Sequence, residues 1–360
     1  MKYGILLIVA LVSAGTAAAQ TSQRITAGKA NEYGLTYTLP ATAVDIYVEA
    51  ELTEKQPGEF YNYARRHLSI TDAVTAPSTT ARVLSAVIVP RGIPDSDNRW
   101  TAQFKPGQAV SISLTDTDIP LGINTDGAPT AAAPAIPAAR PAAPTPLEGD
   151  IARQAVTPDM VRSASVSKKA ELAAQRIFEL REMRSDILSG QADNMPSDGA
   201  AMQLVLDNLS AQEAALTAMF AGTTSTSTVV RKYTVIPDST DVSGRVIGRL
   251  SAVDGLLDAD NLAGSPITVD IKVVERGAVP VNEKGEPKIF PKGGVAYTVP
   301  GSANVSVNYN GNVVESSLIP VAQLGITFGI NPALFYDKKA PYSATFDPVT
   351  GALINLAPVE

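Results

Sequence analysis

Residues 35–54 read LTYTLPATAVDIYVEAELTE. In their second part Val44, Ile46, Val48 and Ala50 alternate with Ala43, Asp45, Tyr47 and Glu49. A strand points successive side chains to opposite faces, so this period of two predicts a strand with one buried face. Pro40 has no N–H to give a ladder and is expected to split the stretch into two extended pieces. RVLSAVIVP (82–90) and QAVSISLT (108–115) repeat the pattern, and PRGIPDSD (90–97) and KPGQ (105–108) read as turns between strands. Residues 24–122 are therefore expected to form an N-terminal β-rich domain.

PGEFYNYARRHLSI (57–70) breaks the alternation. Phe60, Tyr63, Ala64 and His67 or Leu68 recur at helical spacing, which predicts a short amphipathic helix near 58–68 laid on the sheet. Residues 123–149 are dominated by proline and alanine, as in TDGAPTAAAPAIPAARPAAPTP (125–146), and read as a semi-rigid extended linker. The period then becomes helical over residues 150–222. Leu172, Ala173, Ile177, Leu180, Met183 or Arg184, and Ile187 form one stripe, which Gly190 ends. Ser197 or Asp198 caps a second helix through Met202, Val205, Leu206, Leu209, Leu216 and Phe220. Ser210 and Glu213 have the spacing of a capping box, which predicts a break or kink near Ser210. Together the two helices make a helical hairpin.

From residue 223 to 360 alternation returns, with Asn310-Gly311 as a hairpin turn and Asp347 to Gly351 as another tight turn. The fold class expected is α+β: mostly antiparallel β, sandwich- or barrel-like, with an inserted helical hairpin.

The chain opens MKYGILLIVALVSAGTAAAQ. Lys2, the apolar run Ile5 to Val12 and the small residues Ala17, Ala18 and Ala19 read as a secretory signal peptide over residues 1–19. Removing it takes the formal charge from −7 to −8. An acidic chain with no basic run longer than a pair is a poor partner for nucleic acid. There is no cysteine, which removes disulfides, thiolate chemistry and a lipoprotein anchor. No later apolar run reaches membrane-spanning length. A periplasmic or outer-membrane-associated protein is expected.

Candidate chemistry is sparse. His67 is the only histidine. As a general base it needs a partner and a substrate within reach, and as a metal ligand it needs companions. Packing on a helix face is the reading preferred for it. Glu49, Glu51, Glu59, Glu179, Glu182 and Asp186 could supply two carboxylates for glycoside hydrolysis. The last three alternate with Arg181 and Arg184, which reads as a solvated face with local ion pairs. Asp254, Asp258 and Asp260 in DGLLDADN lack EF-hand spacing and read as a turn. Asp238-Ser239-Thr240 resembles a short O-glycosylation acceptor. Gly244 and Gly248 in SGRVIGRL are not followed by the Lys of a phosphate loop. Any of Met183, Met195, Met202, Met219 and Phe220 left exposed would make an apolar patch for a protein partner; mutual burial of the two helices is preferred. No catalytic residue, metal or cofactor is assigned.

PGEFYNYARRHLSI, REMRSDILSGQADNMPSDGAAMQ (181–203), SAQEAALTAMFAG (210–222), IPVAQLGI (319–326) and FDPVTGAL (346–353) occur in this order. In them the chain resembles domain-of-unknown-function family 4831, exported proteins found mainly in Bacteroidota. His67 stands where an aromatic would suit that pattern. The resemblance implies an envelope protein with a β-rich body and a helical hairpin, and it brings no catalytic residues. The function expected is a non-enzymatic binding or scaffolding module with an envelope protein or glycan as partner. The alternative is a carboxylate-based envelope hydrolase acting on glycan or peptidoglycan.

Overall fold

The computed structural model describes residues 33–104, 110–127, 134–192, 198–337 and 339–359. The expected signal peptide, the KPGQ turn, Met195 and Ser197 lie outside them. The fold is α+β, with mostly antiparallel strands in three sheets ordered β2-β1-β5, β10-β9-β8-β6-β7 and β12-β11-β4-β3. In chain order the strands of the N-terminal part are β1 (Tyr33–Gln56), β2 (Ser78–Phe104), β3 (Ile112–Leu114) and β4 (Pro120–Ile123). Those of the C-terminal part are β5 (Thr223–Val235), β6 (Val242–Ser251), β7 (Gly255–Asp258), β8 (Ser265–Glu275), β9 (Val295–Tyr309), β10 (Asn312–Ile330), β11 (Tyr342–Phe346) and β12 (Leu353–Pro358). Strands from before and after the proline-rich segment share sheets: β1 pairs with β5, and β4 with β11.

Pro40 does not split β1, which runs unbroken for 24 residues. Its register with β2 slips between Thr38, opposite Arg99, and Pro40, opposite Pro94. At such a bulge a proline forfeits no ladder bond. The slip also absorbs PRGIPDSD, whose last residues bulge out of β2 instead of ending it. At about 3.3 Å per residue β1 is roughly 75 Å long, and three cores are strung along it. Tyr37 and Leu39 enter one with Ile123, Val295, Phe335 and Phe346. Val44, Ile46, Val48 and Ala50, all fully buried as their alternation predicts, face Ile267, Val269, Ile271, Val305 and Val307 across a sandwich. Past the end of β1, Phe60 and Ala64 belong to a helical core.

Side chains close the sandwich where ladders end. Thr42 lies beyond the last β5 partner of β1, and Gln323 of β10 takes that place. The Thr42 N–H donates to Gln323 Oε1 (3.0 Å) and Gln323 Nε2 donates to the Thr42 carbonyl (2.8 Å). Thr42 Oγ1 accepts from the Ala322 N–H (3.0 Å) and donates to the Val349 carbonyl (3.3 Å). Tyr37 treats β9 alike: its hydroxyl donates to the Ala296 carbonyl and accepts from the Ala296 N–H. Burial pushes that hydroxyl's pKa up, against the opposing pull of the backbone hydrogen bond. On the far side Arg231 and Tyr233 of β5 donate to the carbonyls of Leu256 and Leu257 in β7. Gly248 makes room for the Tyr233 ring, because a Cβ there would lie 2.3 Å from it. That close approach accounts for one glycine of SGRVIGRL without any ligand.

The helices are α1 (Ala64–Leu68), α2 (Asp150–Ala155), α3 (Pro158–Arg162), α4 (Val166–Ser189) and α5 (Gly199–Ala221). Asp198 caps α5 by accepting from the Ala201 N–H (2.7 Å), and Gly190 closes α4 in the left-handed conformation. The break expected at Ser210 is absent: α5 is continuous, and Glu213 is not a capping residue. Its carboxylate instead clamps α4 to α5, accepting from Arg181 Nε and Arg184 Nη1 at 2.6 Å each. These two arginines therefore bond across the hairpin and not along their own helix. Nor does the segment at 57–70 lie on a sheet. Phe60 packs on Phe220 at the end of α5, with ring centroids 5.3 Å apart, and the Phe60 N–H donates to the Met219 carbonyl (2.7 Å). The physical reason is connectivity: the chain leaves β1 beside the point where α5 enters β5, so the nearest apolar surface is helical.

Candidate functional site

The long connection from β8 to β9 folds back on itself. Asn282 Oδ1 accepts from the N–H groups of Lys284 and Glu286, and the Lys288 N–H donates to the Pro280 carbonyl. Phe290 anchors this loop to the body. It stacks on Trp100 of β2 (5.9 Å, 21°) and meets the edge of Phe328 (6.0 Å), which in turn meets Tyr297 (6.2 Å). Between the loop and the ends of β9, β10 and β12 lies an open groove of about 630 Å³. Tyr297, Phe328, Ile330, Leu353 and Leu356 form its apolar floor, with Asn282, Glu286, Lys288 and Asn331 along its rim. An apolar floor with a few polar groups at its edge is the kind of lining that small-molecule sites use. Burial raises the pKa of the Tyr297 hydroxyl. Ile289 overhangs the groove and is 90 % exposed. Sequence reading missed this site, because its parts come from the β8–β9 connection and from β9, β10 and β12; the one advance signal was a connection rich in proline and apolar residues between two strands.

None of the acids weighed from sequence lines this groove. Glu49 accepts from Ser85 Oγ (2.8 Å) and Glu51 pairs with Arg82 (2.7 Å) on the outer face of β1. Glu179, Glu182 and Asp186 ride on α4, Glu179 paired with Arg176. Asp45 is a buried charge that pattern reading left on the polar face of β1. It accepts from Thr234 Oγ1 (2.7 Å) and Arg91 Nε (3.1 Å), with Lys232 Nζ at 3.7 Å. Burial pushes its pKa up, and those hydrogen bonds and charges together outweigh it, holding the carboxyl below its usual value.

Asp258 pairs with Arg231, and Asp254 accepts from Ser251 Oγ, so the acids of DGLLDADN serve separate partners. No cluster of three potential metal ligands occurs among the described residues. Asp238, Ser239 and Thr240 sit in an exposed bend. Of the candidate apolar patch, Phe220 is fully buried, Met202 and Met219 are half-buried, and Met183 is 37 % exposed.

His67 sits half-buried between Tyr63 and Phe220, at centroid distances of 6.2 and 6.5 Å. Its Nε2 is buried without a hydrogen-bond partner. A buried unsatisfied polar atom costs stability, whereas an apolar ring of similar shape does not. His67→Phe is therefore expected to raise the stability of the helical unit by about 1 kcal/mol, read as a higher urea midpoint of the helical signal; a lower midpoint would mean that Nε2 has a hydrogen-bonding role.

A family model described as Domain of unknown function (DUF4831) matches residues 33–354, nearly the whole chain. The chain belongs to the DUF4831 family. No curated protein and no solved structure gives a significant match. The DUF4831 landmarks noted in the sequence meet in pairs. IPVAQLGI and FDPVTGAL converge on Thr42 through Gln323, Ala322 and Val349. PGEFYNYARRHLSI and SAQEAALTAMFAG meet at Phe60 and Phe220, and REMRSDIL meets SAQE through Glu213. Each pair holds two distant segments of this fold together, and of all these landmark residues only Leu353, the last of FDPVTGAL, is among the described residues that line the groove. Among the described residues no helix is long and apolar enough to cross a membrane.

Proposed function

We propose that this DUF4831 protein is an exported, non-enzymatic binding module of the cell envelope, and that its ligand lies in the groove under the β8–β9 connection. The groove itself carries the reading. It joins an aromatic and aliphatic floor to amide and charged rim groups, and is held by a loop pinned at Phe290. Export rests on Lys2, the apolar run and the three alanines of the leader. Glu286 is the one carboxylate among the described lining residues, and it accepts from Asn282 Nδ2 (3.0 Å). A two-carboxylate hydrolase needs a second acid across the bond to be cut, so binding is the reading preferred over hydrolysis.

Trp100 is the chain's only tryptophan and stacks on the loop that walls the groove, so it is a built-in reporter. Soluble peptidoglycan fragments and envelope polysaccharides, titrated in turn, are expected to include one that shifts Trp100 emission saturably. Phe290→Ala is expected to abolish that shift. In cells, a photo-crosslinker at Ile289 is expected to capture a defined envelope component, and one at Val253, on the β6–β7 turn, is not. A silent tryptophan together with no adduct at position 289 overturns the proposal.

A further inference from the structure

Between the sandwich and the helical unit the sheet β2-β1-β5 continues as a three-stranded neck. None of residues 223–230 is buried, and β5 is an edge strand there. Its sequence, TTSTSTVV, is uncharged, free of proline and rich in β-branched residues. Such an edge is a template for pairing with another strand. Among the described residues one backbone bridge covers it. The Arg140 N–H donates to the Thr228 carbonyl (2.9 Å) and the Thr228 N–H donates to the Arg140 carbonyl (2.8 Å), as in an antiparallel ladder. Pro137 and Pro141 flank Arg140 and lack donors, and no further bridge forms along the described part of the segment.

We propose that the stretch around Arg140, within the described part of the proline- and alanine-rich segment, is a strap over the β5 edge, and that the edge, once released, pairs with the same edge of a second copy of this chain. The edge already holds an antiparallel segment, the direction that a two-fold axis requires. Because the Thr228 N–H and carbonyl point outward, those of Thr224, Thr226 and Val230 do so too, two and four residues away. Antiparallel self-pairing about Ser227 sets Thr226 opposite the partner's Thr228 and Thr224 opposite the partner's Val230. Arg231 and Lys232 then fall beyond the paired stretch, opposite uncharged residues, so no like charges meet.

The test uses the full mature chain. Arg140→Pro removes the donor to Thr228, and light scattering across a concentration series is expected to show its mass rising toward twice that of the wild type. Adding Thr226→Pro removes an outward N–H while sparing the ladder to β1, and is expected to restore the monomer. Hydrogen exchange at the Thr228 amide completes the test. A monomeric Arg140→Pro variant whose Thr228 amide exchanges freely overturns self-pairing. A monomeric variant whose Thr228 amide stays protected overturns the strap, and a dimer that survives Thr226→Pro places the interface elsewhere and overturns the proposal.

Discussion

Phe220→Ala is expected to cost the helical unit about 3–5 kcal/mol while leaving the β body unmoved. Phe220 is fully buried, and Phe60 and the His67 ring rest on it. The cavity left behind cannot collapse readily, because the incoming backbone is already in contact with the end of α5. A Cβ on Gly58 would lie 2.2 Å from the Met219 carbonyl oxygen, so no slack remains for the two segments to close up. The separation of effects follows from the architecture. The residues of the helical core come from the helices and the turn that precedes α1, with none from the strands. In a urea titration the far-ultraviolet helical signal should move to lower midpoint, while Trp100 emission, which reports the opposite end of β1, should not. Coincident shifts of both signals would show that the cores unfold as one unit.

Gln323→Ala is expected to do the reverse, lowering the midpoint seen by Trp100 by the equivalent of about 2–4 kcal/mol and sparing the helical signal. Thr42 is fully buried, and the amide of Gln323 satisfies both its N–H and its carbonyl. Alanine strands a donor and an acceptor together. Gln323→Glu keeps the acceptor but sets a carboxylate against the Thr42 carbonyl, so it should be no better than alanine. A loss below about 0.5 kcal/mol for the alanine variant would mean that water replaces the amide, and would remove Thr42 from the account of what joins β1 to β10.

Local pattern carried a good deal of this. The buried face at Val44, Ile46, Val48 and Ala50 follows from side-chain alternation alone. So do the α4–α5 hairpin, its caps at Asp198 and Gly190, and the turn at Asn310-Gly311, where both residues take positive φ. Each depends on residues within one or two turns of chain, and there composition and spacing determine the outcome. What failed did so where a distant segment supplied the partner. Pro40 reads as a break until the slip against Pro94 is known. Glu213 reads as a cap until Arg181 and Arg184 arrive from the other helix. Phe60 reads as a sheet contact until Phe220 is brought beside it by the strand that follows α5.

The candidate groove belongs wholly to that second class, since Asn282, Phe328 and Leu353, which line it, have no neighbourhood in the sequence. By itself, then, the sequence determined the kinds of element, their buried faces and the absence of thiol chemistry, because these are properties of short range and of composition. Only the tertiary structure decided which strands share a sheet, which polar side chains stand in for a missing strand, and where a groove opens. Those outcomes depend on backbone and side-chain partners that lie up to about three hundred residues apart, as Thr42 and Val349 do.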